Sequence, residues 1–139
     1  MKNSRAVLGL DVGARRIGVA KAELDTKLAV PLKAVLVDGT EFEQLQAIID
    51  EYTPVVIVVG YPRNQSGDAT AQTAIVESFA SRLGRFKIDI AFQDESLTSV
   101  IAEERLRQRG SHTKADIDAE AAAIILQDYI EIHYGYTTA

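Results

Sequence analysis

Three carboxylates far apart in the chain could do chemistry together. Asp11 interrupts the apolar run Val7-Leu8-Gly9-Leu10-Asp11-Val12. Desolvating a lone charge there costs several kcal/mol unless an arginine, backbone donors or a metal ion pairs it. Gly13, two residues on, has no side chain and leaves room for a phosphate or an ion to approach the backbone. Glu95 follows a strand-like run at 87–92, and Asp118 stands at the start of a helix rich in small residues, Ala119, Ala121, Ala122 and Ala123. Small side chains let that helix lie close to a sheet, which would bring Asp118 near Asp11. Oxygen donors without cysteine suit Mg²⁺ or Mn²⁺. Two such ions, about 3.5–4 Å apart, activate a water and stabilise the leaving oxygen in phosphodiester cleavage. Each acid also has a local use. Asp11 can bond to its own turn, Asp118 or Asp116 can cap the helix, and Asp94 competes with Glu95.

The basic residues form two groups. Arg15, Arg16 and Arg63 fall on loops expected at one edge of the sheet. Arg105, Arg107, Arg109 and Lys114, with His112, fall within ten residues that contain no acid. Such a segment can grip a phosphate backbone without reading sequence. The other use is as solvated charge, with Arg107 and Arg109 favourable at a helix C-terminus. His112 and His133 are too isolated to serve as ligands or bases.

The elements that must position these groups follow from periodicity. Residues 7–10 and 17–20 form a hairpin, and 28–37 hold a third strand, most strand-like at Ala34-Val35-Leu36-Val37. Thr40 and Glu43 fit a capping box ahead of a helix that buries Phe42, Leu45, Ile48, Ile49 and Tyr52. Val55-Val56-Ile57-Val58-Val59 is β-branched and apolar on both faces, as a central parallel strand should be. A helix over 68–83 would bury Ala71, Ile75, Phe79 and Leu83, with Gly84 as its C-cap. Residues 87–92 place Ile88, Ile90 and Phe92 on one strand face. Helices over 97–108 and 118–134 complete the chain, the last burying Ala122, Ile125, Leu126 and Tyr129. This order predicts a mixed sheet of five strands with helices on its faces. Strands one and four would be neighbours. Ligands gather at the carboxyl ends of strands where strand order reverses, and Asp11, the Gly60 loop and Asp94-Glu95 all lie there.

Composition narrows the function. The chain has 139 residues, a length suited to one domain, with 47% hydrophobic and 25% charged residues. It has no cysteine, so disulfides and thiolate metal sites are excluded. No apolar run approaches the ~20 residues needed to span a bilayer, and the start does not read as a signal peptide, so the expected location is the cytoplasm. The net charge of −5 argues mildly against non-specific nucleic-acid binding. Carboxylates loaded with divalent cations reverse that sign locally.

Four stretches, in order, resemble the YqgF/RuvX family of Holliday junction resolvases. Leu8-Gly9-Leu10-Asp11-Val12-Gly13 with Arg16-Ile17-Gly18-Val19-Ala20 resembles its opening. Val58-Val59-Gly60-Tyr61-Pro62, then Asn64, Gly67 and Gln72, resemble its central loop and following helix. Asp94-Glu95, Leu97-Thr98 and Ala102-Glu103 resemble its third motif. Ile117-Asp118, Ala121-Ala122 and Ile124-Ile125-Leu126-Gln127 resemble its last helix. The resemblance implies an RNase H-like fold and a nucleic-acid substrate. It also implies acidic active-site positions at Asp11, Glu95 and Asp118, Mg²⁺ or Mn²⁺, and phosphodiester hydrolysis, in some members at the end of ribosomal RNA. One departure stands out: Ser96 follows the Asp-Glu pair where the family usually has an arginine, which could fork onto a phosphate as serine cannot.

The expectation is an α/β, RNase H-like domain spanning the chain, its first three strands antiparallel and its helices on both faces. Asp11, Glu95 and Asp118 would be catalytic and would hold two Mg²⁺ or Mn²⁺ ions. Arg15, Arg16, Arg63, Arg107, Arg109 and Lys114 would contact nucleic acid, either a four-way DNA junction or precursor ribosomal RNA. A junction needs paired incisions and so would call for a homodimer, although no stretch identifies a dimer surface. The alternatives are a nucleic-acid-binding or regulatory module that keeps the fold without turnover and, ranked last, a sugar-kinase-type phosphotransferase.

Overall fold

Side chains alternate across a strand, and β1 (Ala6–Val12) fills both faces. Leu8, Leu10 and Val12 join one core with Phe42, Leu45, Ile48 and Ile49 and with Val76, Phe79 and Leu83. Val7, from the other face, joins a second core with Ala122, Ala123, Ile125, Leu126 and Ile130. Asp11 shares that second face by alternation. The computed structural model describes residues 5–62, 70–95, 98–110 and 112–135.

Five strands form one sheet: β1, β2 (Arg16–Glu23), β3 (Leu28–Leu36), β4 (Val56–Pro62) and β5 (Asp89–Glu95), in the order β3-β2-β1-β4-β5. The first three pair antiparallel, and β1–β4 and β4–β5 pair parallel, as expected. The helices α1 (Glu41–Tyr52) and α2 (Ala71–Arg82) cover one face. The long α4 (Lys114–Tyr134) covers the other, and α3 (Thr98–Arg109) packs against α4 through Ala102. Every residue from 119 to 126 is buried because α4 is enclosed between sheet and helix. Glu120, in that stretch, is only 3% exposed at its side chain, and Arg105 and Arg109 donate to it at 3.4 and 3.3 Å. A buried carboxylate needs such partners.

Several local expectations change. Strand β5 runs on to Glu95, because β4 continues to pair with it through Tyr61↔Asp94 and Pro62↔Glu95. The expected Thr40 capping box does not form. Asp38 Oδ1 accepts from both the Thr40 backbone and its hydroxyl, at 2.9 and 2.6 Å, and Glu41 reaches back to Gly39 N. The caps found are reciprocal boxes at Thr70/Thr73 and Thr113/Asp116. The last helix therefore starts at Lys114, and Asp118 lies inside it and is not its cap. Position 68, the expected start of α2, lies outside the described residues. On α2 the inward residues are Thr73, Val76, Phe79 and Ala80, while Ala71 and Ile75 are exposed. Thr73 takes an inward place because its hydroxyl donates to Pro62 O at 2.7 Å. Gly84 does not cap α2 but lies in a 3-10 turn, Leu83–Phe86, that ends at Lys87 with φ of 57°. Phe92 is 47% exposed on the edge strand.

Candidate active site

Three glycines bring α4 and the carboxylates onto the sheet. A side chain on Gly9 would meet Leu126 Cβ at 2.7 Å, and one on Gly18 would meet the Asp118 carbonyl oxygen at 1.9 Å. Helix α4 therefore rests directly on β2 at Asp118. Gly18 pairs with Asp11 across the β1–β2 ladder, so Asp118 is delivered beside Asp11. On the other side of β1, Leu10 pairs with Val59, which sets Gly60 beside Asp11. The Glu95 carboxylate lies over Gly60, its Oε2 only 2.0 Å from where a Cβ would stand. The three expected acids thus gather at the carboxyl end of β1, with Asp11 in the middle.

Their electrostatics agree with that placement. Burial, then the charge of Asp118, pushes the Asp11 carboxyl up to about 6. Burial, then the charge of Asp11, pushes Glu95 up to about 8. Asp118 has a different partner. Arg16, at the start of β2, donates from Nε to Asp118 Oδ2 at 2.5 Å, with the two side chains 31% and 23% exposed. Among the described residues no three acid or histidine side chains are drawn together as a ready-made ion site.

The raised carboxyls carry a consequence for stability. The folded protein holds protons on Glu95 and Asp11 that the unfolded chain releases near pH 4. Between about pH 4 and pH 8 the native state binds more protons, so stability falls as pH rises through that window. In chelator, the melting temperature should drop from pH 5 to pH 8. Glu95→Gln should flatten that slope and be more stable at pH 8 by roughly 1–3 kcal/mol. A wild-type melting temperature that stays level or climbs over this range, with no gain in the variant, would show that the acids do not repel.

The surrounding backbone is tied down. Gln72 Nε2 donates to Val12 O at 2.7 Å and Thr73 to Pro62 O, which fasten the start of α2 to the ends of β1 and β4. Gly13 serves its own turn: its N–H donates to Arg16 O at 2.9 Å, and a Cβ would meet that oxygen at 2.8 Å. The need for glycine there is steric: the Arg16 carbonyl fills the space expected for a phosphate or an ion. Gln127, an amide among Ile-Ile-Leu, clamps the β2–β3 turn by accepting from Ala29 N and donating to Lys27 O. Its polarity within an apolar run was the signal that could have revealed it.

The expected nucleic-acid contacts divide. Arg15 and Lys114 are exposed, and Arg107 pairs with Glu104 on its own helix at 3.0 Å. Arg109 reaches buried Glu120, so it ties α3 to α4. Arg16 faces Asp118. Arg63 and Ser96 lie outside the described residues.

Residues 5–132 match the family model for RuvX, described as a Holliday junction resolvase. The chain belongs to the RuvX family. A Shewanella oneidensis relative named "Putative pre-16S rRNA nuclease" is 38% identical over 139 residues, covering 96% of this chain and 99% of that protein. A Colwellia psychrerythraea relative of the same name is 40% identical over 136 residues, covering 94% and 92%. Among solved structures, Thermus thermophilus RuvC in complex with a Holliday junction substrate is similar with a TM-score of 0.58 at 15% identity, covering 94% of this chain and 96% of that one. That likeness is one of fold: the RuvX chain has the RNase H-like sheet of the RuvC resolvases. Membership of RuvX makes it a nuclease, a hydrolase acting on nucleic acid. Among the described residues no helix is long and apolar enough to cross a membrane.

Proposed function

We propose that the chain is a divalent-metal-dependent endonuclease whose active site is Asp11, Glu95 and Asp118, and that precursor ribosomal RNA is its substrate. The observation that carries the site is the convergence of acids from β1, β5 and α4 on the carboxyl end of β1, with Asp11 raised by burial and the charge of Asp118, and Glu95 by burial and the charge of Asp11. The names of relatives at 38% and 40% identity favour the RNA substrate. The fit to Mg²⁺ or Mn²⁺ rests on the donor set, since oxygen-only carboxylates that repel one another are what a hard cation relieves. When bound, such an ion supplies an activated water and neutralises charge on the scissile phosphate.

The chain's own residues do the rest. Asp11 and Glu95 hold the ion, and Asp118 anchors the third corner through Arg16. Gly60 gives Glu95 the space to lie over the sheet. Arg15 and Lys114, both exposed, contact the nucleic-acid backbone with the outward sides of Arg107 and Arg109, and Arg63, outside the described residues, is assigned the same role. These contacts position substrate and carry no sequence information. Trimming an RNA end needs one copy of the chain, whereas resolving a four-way junction would need two. We place the protein in the cytoplasm.

The test is a cleavage panel of precursor ribosomal RNA, four-way junction, duplex and single strand, with Mg²⁺ and with Mn²⁺. The expected result is metal-dependent cutting of the RNA precursor in preference to the rest. Preferential cutting of the junction in paired, symmetric positions would replace the RNA assignment. Binding without cutting of any member would remove the nuclease assignment of these acids.

A further inference from the structure

We propose that Arg16 is the resident cation of Asp118, so that the centre takes up one divalent ion, at Asp11 and Glu95, and not two. This rests on the metal-dependent reading above and deepens it. Arg16 Nε and Asp118 Oδ2 are 2.5 Å apart, a charge-assisted contact with both side chains less than one third exposed. The pair is built into the fold. Arg16 and Gly18 share one face of β2, and the Asp118 backbone rests on Gly18 with no space between. The α4 backbone at Asp118 therefore cannot move away from the Arg16 strand without lifting off it. A guanidinium stays charged at any working pH, so Asp118 has a standing counter-charge in Arg16. Asp11 and Glu95 form no ion pair among the described residues.

Charge counting then limits occupancy. Three carboxylates and one guanidinium leave two negative charges, which one divalent ion balances. A second ion at Asp118 would compete with Arg16 for the carboxylate and would set a dication beside a guanidinium, an unfavourable like-charge contact. Asp118 has its counter-ion in Arg16, while Asp11 and Glu95 have none among the described residues.

The measurement is calorimetric titration of the chelator-stripped protein with Mn²⁺ alone, with circular dichroism confirming the fold of each variant. The wild type should bind one ion per chain, and Asp11→Asn or Glu95→Gln should weaken that binding by at least about tenfold. Asp118→Asn should keep the single ion within about threefold. Arg16→Gln frees Asp118 and should raise the stoichiometry towards two, whereas Arg16→Lys, which retains the charge, should stay at one. If Arg16→Gln does not fold, Arg16→Lys and Asp118→Asn decide. Two ions on the wild type, loss of the ion in Asp118→Asn, or a single ion on folded Arg16→Gln would overturn the proposal and leave the nuclease reading standing. No uptake of millimolar Mn²⁺ by the wild type would defeat both.

Discussion

Asp11→Asn should cut nuclease activity by roughly 10²–10³-fold or more without weakening the fold. Asparagine matches the shape of aspartate and removes only the charge. Asp11 stands between Asp118 and Glu95 and feels the first while raising the second. The loss of that charge takes away the donor that a cation needs and also the repulsion that the native state tolerates. The variant should therefore melt no lower than the wild type, and higher at pH 7–8 in chelator. Lower activity with equal or greater stability separates a functional carboxylate from a structural one, whose loss lowers both. Purified Asp11→Asn that still cuts in Mg²⁺ at near wild-type rate would exclude Asp11 from the chemistry.

Gly18→Ala should cost about 3 kcal/mol or more and lower the melting temperature by about 10 °C. The added methyl would stand 1.9 Å from the Asp118 carbonyl oxygen, 2.3 Å from its carbon and 3.0 Å from Ala119 N. All three are backbone atoms of α4, so no side-chain rotation relieves the clash and the helix must retreat. Its retreat draws Asp118 off Asp11 and Arg16, so the folded fraction should also lose activity. Gly84→Ala is the control, since nothing lies within 4 Å of its Cβ position, and it should stay within about 0.5 kcal/mol of wild type. Equal denaturation midpoints for Gly18→Ala and Gly84→Ala would mean that α4 does not sit on β2 as described.

Both results depend on glycines whose meaning a linear reading misses. Gly18 looks like an ordinary position within the second hairpin strand, yet it is the floor on which Asp118 rests. Gly60 looks like the start of a loop, yet it lies in β4 and makes space for Glu95. Gly13 looks open to a ligand, yet the carbonyl of Arg16 closes it. In each case the partner is set by which strands pair and how near a helix comes. The arginines follow the same rule. Arg105, Arg107 and Arg109 read as one basic segment, but helical spacing turns Arg105 and Arg109 onto Glu120 and leaves Arg107 on the outer side with Glu104.

The order of elements, the parallel centre of the sheet and the place of Asp11 at the end of the first strand were determined by the sequence alone. They reside in local period, in β-branched composition and in a charge set within an apolar run, all of which are properties of neighbours along the chain. The end of β5, the true start of α4 and the partner of Asp118 were decided by the tertiary structure. Arg16 and Asp118 are 102 positions apart, and nothing between them encodes that they meet. They do so because a strand without a side chain at Gly18 lets the helix close to contact distance, and at that distance the nearest opposite charge becomes the partner.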